Sequence, residues 1–122
     1  MTLNSKMHEI YLSMPMEATL MPELQNLPYW ARMTHEILME VNPAKLSELA
    51  NSNQLESYLK QQQARLSEEA RKLEKQWRSQ NPLGQEANYF QRTSWLNHCK
   101  QYAREVLIGD LTKSLAALAN ES

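Results

Sequence analysis

Few residues in this sequence are of types that do chemistry, and their spacing gives most of them other work. Cys99 follows His98 directly. Neighbours on a helix point about 100° apart, so this pair does not form a nucleophile–base dyad. Cys99 falls instead on an apolar stripe, where a thiol behaves as a small hydrophobe. The histidines His8, His35 and His98 stand in no His-x-x-x-His or Glu-x-x-His spacing, and there is no second cysteine. Glu36 and Glu40 share a helix face but lack the histidine at i+3 that a di-metal bundle uses. Glu68 and Glu69 lie among Lys and Arg and read as a solvated, ion-paired face. The two glycines, Gly84 and Gly109, stand alone, which excludes a glycine-rich phosphate cradle. The expectation is therefore a protein that is not an enzyme, with no catalytic residue, no metal ligand and no cofactor.

One constellation is ambiguous. Trp77, Tyr89, Phe90, Trp95 and Tyr102 interleave with Arg71, Arg78, Arg92, Lys100 and Arg104. Aromatic platforms beside cations hold single-stranded nucleic acid. Bulky aromatics also close the end of a helix pair, and that core reading is the stronger. The charge distribution raises the same question. The formal net charge is −1, yet residues 60–104 carry nine basic and four acidic side chains. Residues 1–59 carry three basic and seven acidic ones. A basic middle between acidic ends marks either a nucleic-acid surface or two parts of a chain that attract each other. The candidate nucleic-acid contacts are Lys60, Arg65, Arg71, Lys72, Lys75, Arg78, Arg92, Lys100 and Arg104.

The elements that must position these side chains are helical. Two glycines in 122 residues, with no Asn-Gly, Asp-Gly or Gly-Gly pair, leave an all-β chain without its turns. Leu, Glu, Gln, Ala, Lys and Arg dominate, and all are good helix formers. Met7, Ile10, Tyr11 and Met14 recur at helical spacing and predict a short helix over 3–14. Pro15 and Pro22 then mark a loop over 15–26. Trp30, Met33, Ile37 and Val41 form one stripe of a helix over 27–41, with Asn26 as its cap. Asn42–Pro43 ends it, and Asn42 caps a short helix that buries Leu46, Leu49 and Ala50. Asn53 with Glu56 has capping-box spacing. After it Leu55, Leu59, Gln62, Leu66, Ala70, Leu73 and Trp77 recur at steps of three and four without a break until Pro82. Gln62 is the polar member of that line, a position that fixes register or partner choice. Asn81–Pro82–Leu83–Gly84 turns the chain, and a second long pattern runs over 85–118, kinked or split at Gly109–Asp110.

The fold expected is an all-α bundle in one domain over 1–122. It is built on an antiparallel hairpin of two long helices, 53–80 and 85–118, with shorter N-terminal helices packed at one end. A helix over 53–80 would be ~42 Å long, while a compact domain of this length is roughly 30 Å across. Its apolar line is also narrow, which resembles a coiled-coil seam. The hairpin should therefore project and be covered by a second copy or another protein. Its interface would be Leu55, Leu59, Leu66, Leu73 and Trp77, with Leu107, Leu111, Leu115 and Leu118 opposite or in the partner. No apolar stretch approaches the ~18 residues of a membrane span. Lys6 is followed by no apolar run of a secretory leader, and the single cysteine forms no disulfide framework. A cytoplasmic homodimer, or a partner of another protein, is the expectation.

Residues Glu40-Val-Asn-Pro-Ala-Lys-Leu-Ser-Glu-Leu-Ala-Asn-Ser-Asn-Gln-Leu-Glu-Ser-Tyr-Leu59 carry a local resemblance. The Asn-Pro…Leu…Leu…Leu pattern ahead of a charged helix resembles a helix–turn–helix stretch in small proteins of bacterial transposons, prophages and plasmids. The resemblance covers about 20 residues. It implies a bacterial origin and no activity. Together these readings point to a non-enzymatic protein–protein interaction module, an adaptor or accessory protein, with a nucleic-acid-binding accessory protein as the alternative.

Overall fold

The computed structural model describes residues 26–119, and every regular element within them is an α-helix. The helix expected over 3–14, most of the loop after it and the last three residues lie outside the described residues. The elements are α1 (Tyr29–Val41), α2 (Pro43–Asn51), α3 (Leu55–Gln80) and α4 (Tyr89–Leu118). The all-α bundle expected from composition is the fold observed.

The first helix starts after Pro28, whose φ of −56° already suits a helix. Asn26 does not cap it, as the sequence suggested it would. Instead the Ala31 N–H, one of the first-turn donors left over in any helix, donates to Gln63 Oε1 at 2.9 Å. Gln63 thus caps α1 from α3. Gln62, the expected polar member of the seam, is half-buried and accepts from Arg65 of its own helix at 2.7 Å. The buried side of α1 is broader than the predicted stripe: Trp30, Ala31, Thr34, His35, Ile37, Leu38 and Met39 are all buried. The reason is tertiary. The helix packs on α2, α3 and α4 at once.

Two asparagines shape the ends of α2. The Asn42 side chain accepts from the Lys45 N–H at 3.1 Å, as the sequence predicted, and its Nδ2 donates to the Leu115 carbonyl at 3.0 Å. Leu115 lies in the last turn of α4, where carbonyls run out of i+4 donors. Asn53 has a φ of 60°. Its N–H reaches Ala50 O and the Gln54 N–H reaches Leu49 O, at 3.2 and 2.9 Å. This is a Schellman ending with asparagine in the left-handed position. Asn53 therefore closes α2 and does not cap α3, which starts at Leu55 without a side-chain cap.

The second long helix begins at Tyr89, four residues later than the hydrophobic pattern suggested. A capping box fixes the start: Asn88 Oδ1 accepts from the Gln91 N–H at 2.8 Å, and Gln91 Oε1 accepts from the Asn88 N–H at 2.9 Å. Gly109 does not split α4, which runs unbroken for 30 residues. Where α3 and α4 touch they run in opposite directions. Cys99 Sγ donates to Glu74 O at 3.3 Å, and Trp95 Nε1 donates to Asn81 O at 2.6 Å.

The first helix divides this pair into two regions. Its start lies at Gln63 and Arg104, with the Arg104 guanidinium 4.2 Å from the centre of the Tyr29 ring. Its end reaches Leu115 through Asn42. Only the first half of α3 and the second half of α4 therefore have α1 against them. The core lies there, in Trp30, Ile37, Leu38, Leu46, Leu59, Leu66, Ala103, Leu107, Leu111 and Leu115. From Arg71 to His98, no residue is buried.

Candidate interaction surface

The expected leucine seam lies mainly inside the chain's own core. Leu66 is 1% exposed, and Leu55, Leu59, Leu107, Leu111 and Leu115 are likewise buried. Their partners are α1 and each other's helices, so they present nothing to a second protein. This corrects the idea that the line along α3 is too lightly apolar to be sheltered. The small side chains Ala70 and Ala103 and the broad face of α1 close around it. Leu73 and Trp77 are half-buried, and Leu118 is 38% exposed at the end of α4.

The exposed apolar surface lies elsewhere, on the first two turns of α4. Tyr89 is 75% exposed, Phe90 80% and Leu96 42%. The rings of Tyr89 and Phe90 pack edge to face on each other with centres 5.8 Å apart. The capping box at Asn88 sets them at a helix start rather than in a loop. Behind them the Trp77 and Trp95 rings lie 6.0 Å apart and close the end of the α3–α4 pair. Trp77 and Trp95, both half-buried, thus pack on each other where the helix pair closes without joining the core, and Tyr89 and Phe90 lie outside it altogether. The capping box was legible in the sequence as Asn88 and Gln91, and it would have placed both rings in an exposed first turn.

The candidate nucleic-acid residues separate into two sets. Lys60 pairs with Glu56 at 3.0 Å, Arg65 with Glu69 at 3.3 Å and Arg71 with Glu68 at 2.7 Å. The Arg71 guanidinium holds the Glu68 carboxyl below its ordinary range, chiefly by hydrogen bonding. Such exposed pairs contribute little to stability. Among the described residues Lys72, Lys75, Arg78, Arg92, Lys100 and Arg104 make no ion pair. Arg78 reaches Cys99 Sγ at 3.6 Å, and Arg104 covers Tyr29. All six unpaired cations belong to the part of the α3–α4 pair that α1 leaves bare, or to its border.

Two of the remaining chemistry-bearing residues, Cys99 and His35, lie in the interior. Cys99 is buried between Arg78 and the Glu74 carbonyl. His35 is buried in α1, and desolvation lowers its pKa to about 4. Among the described residues no group of His, Cys, Asp and Glu is arranged to hold a metal ion, and no helix is long and apolar enough to cross a membrane. Comparison of the chain with protein-family models, with curated proteins and with solved structures finds no match in any of the three.

Proposed function

We propose that this chain is a non-enzymatic helical interaction module that binds protein, a second copy or another chain, through the exposed start of α4. The observation that carries this reading is the Tyr89–Phe90 pair, 75% and 80% exposed and supported from below by a capped helix turn. Large aromatics with arginine nearby are what interface centres are made of, and they carry most of the binding energy when covered. Arg92 lies within the same turn. The leucines of the core take no part. Leu66→Asp would unfold the chain rather than report on a partner, because it buries a charge.

The test is the double variant Tyr89→Ser/Phe90→Ser, with helicity checked by circular dichroism. Sedimentation across the micromolar range and cross-linked pull-down are the readouts. The expected result is loss of self-association or partner capture with the helical signal retained. Unchanged association in a folded variant would overturn the reading.

A second reading is favoured by Lys72, Lys75, Arg78, Arg92, Lys100 and Arg104, which have no carboxylate partner among the described residues. In it, the bare part of the α3–α4 pair lies along a nucleic-acid backbone. Its binding to labelled single- or double-stranded DNA should weaken steeply as salt rises. Absence of any shift at about 50 mM salt, where such binding is strongest, would end it.

A further inference from the structure

One side of the α3–α4 pair is stepped. The first helix packs on both α3 and α4. Two contacts fix where it starts: the Ala31 N–H on Gln63 and the Tyr29 ring at Arg104. Past these contacts the same side of the pair continues without α1. On α4 it runs from Arg104 through Lys100, Leu96 and Arg92 at steps of four, and all four are exposed. On α3 it runs from Gln63 through Ser67, Ala70, Glu74 and Arg78. No other described helix lies on this strip. A packed helix adds about 10 Å of height, so one half of this side stands one helix above the other.

The raised half and the bare strip match in length and in charge. Of the residues of α1 only Arg32, Glu36 and Glu40 are exposed, at steps of four along its outer side. None of them makes an ion pair among the described residues. They stand about 5, 11 and 17 Å along the helix from Tyr29. On the strip, Lys100, Leu96 and Arg92 stand about 6, 12 and 18 Å from Arg104. The bond from Cys99 Sγ to Glu74 O sets Glu74 close to the level of Lys100, and Arg78 one turn farther out, near Leu96. Outward from the step, α1 thus presents one cation and then two carboxylates. The strip presents Glu74 beside Lys100, then Arg78, then Arg92.

We propose that two copies of this chain pair face to face around a two-fold axis at this step, the α1 of each lying on the bare strip of the other. Glu36 then meets Lys100 and Arg78, Glu40 meets Arg92, and Arg32 faces Glu74. Each of these contacts forms twice, because a two-fold interface is reciprocal. Copies paired tip to tip would instead bring Arg92 and Lys100 toward the same residues of the partner, which like charge opposes. Within one chain α1 runs away from the strip, so a second copy is what brings the two together. Tyr89 ends the strip, and the proposal rests on the reading that the start of α4 binds protein; it names a second copy as that protein.

The experiment is sedimentation of the full chain and of two charge-reversed variants across the micromolar range, with helicity followed by circular dichroism. Arg92→Glu/Lys100→Glu reverses the strip, and Glu36→Lys/Glu40→Lys reverses α1; all four side chains are exposed, so both variants should fold. The unaltered chain should dimerise, and each variant alone should self-associate about tenfold or more weakly. An equimolar mixture of the two variants should regain the dimer, because the acidic strip meets the basic α1 and the basic strip meets the acidic α1. An unaltered chain that stays monomeric, a variant that dimerises as the unaltered chain does, or a mixture no more associated than its components would overturn the inference. The reading of the tip fails separately, when Tyr89→Ser/Phe90→Ser leaves association unchanged. A monomer whose tip captures a different protein overturns the pairing alone.

Discussion

The two halves of the α3–α4 pair differ in their residues and in how they are held. At one end Leu59, Leu66, Leu107 and Leu111 meet α1, and one buried polar side chain bridges the helices, Asn42 to Leu115 O. At the other end α3 and α4 have only each other among the described residues. Contact there includes Trp77 against Trp95, the hydrogen bonds from Trp95 to Asn81 O and from Cys99 to Glu74 O, and Arg78 on Cys99 Sγ. The first end carries the hydrophobic stabilisation, since burial and packing scale with area removed from water. The second keeps its helical form through α-helical continuity and exposes aromatic and cationic side chains. Among the described residues a third helix, present on one half only, separates scaffold from surface.

Substitutions break this contrast in order of size. Leu66→Ala, at the packed end, should cost about 3 kcal/mol by leaving a cavity. Leu96→Ala, at the bare end, should stay within about 0.5 kcal/mol. Urea midpoints of the two variants measure the difference, and equal losses would erase the distinction drawn here. A pH series probes the same end through His35. Its folded pKa of about 4 lies below the ordinary 6.5, so the folded state holds it neutral. Stability from this group is intact above pH 6.5, falls as pH drops from 6.5 toward 4, and levels off below that. Acidification through this window should remove up to about 3 kcal/mol. His35→Gln should flatten that part of the profile, as followed by thermal melts at pH 7, 6 and 5.

Smaller effects sharpen the picture. Asn42→Ala removes the α2 cap and the bond to Leu115 O together, and should cost about 2 kcal/mol. Asn42→Asp keeps the cap and loses the donor to Leu115, so its stability in the same melts should separate the two contributions. Gly109 lies in mid-helix with nothing within 4 Å of where a Cβ would stand. Gly109→Ala should therefore stabilise the chain by about 0.5–1 kcal/mol. A loss of stability there would mean that α4 bends at this point in solution.

The helical class was legible from composition, because glycine scarcity removes the turns that strands need. The order of the helices was legible from the 3.6-residue recurrence and the proline breaks. Asn42 as a cap, Leu46, Leu49 and Ala50 as the buried side of α2, and Cys99 as a buried small side chain were all readable locally. The start of α4 was readable too, in Asn88 and Gln91, but the apolar pattern from residue 85 drew attention away from it. The breadth of the buried face of α1, which leaves only Arg32, Glu36 and Glu40 exposed, could not be read in this way. Amphipathic spacing reports one apolar face, and a helix enclosed by three neighbours buries residues such as Thr34 and His35 that carry no apolar signal.

The surface followed the same division. Local sequence determined which residues are helical, where the chain caps and breaks, and that its middle is basic, because these depend on contacts within a few residues. Only the tertiary structure decided that the leucines of α3 and α4 face α1, that Gln63 and not Gln62 bridges two helices, and that Leu96 remains exposed. A stripe of leucines looks the same to a partner in its own chain as to one in another. Which of the two covers it depends on where a distant helix begins and ends, and that is set by the packing of the whole chain.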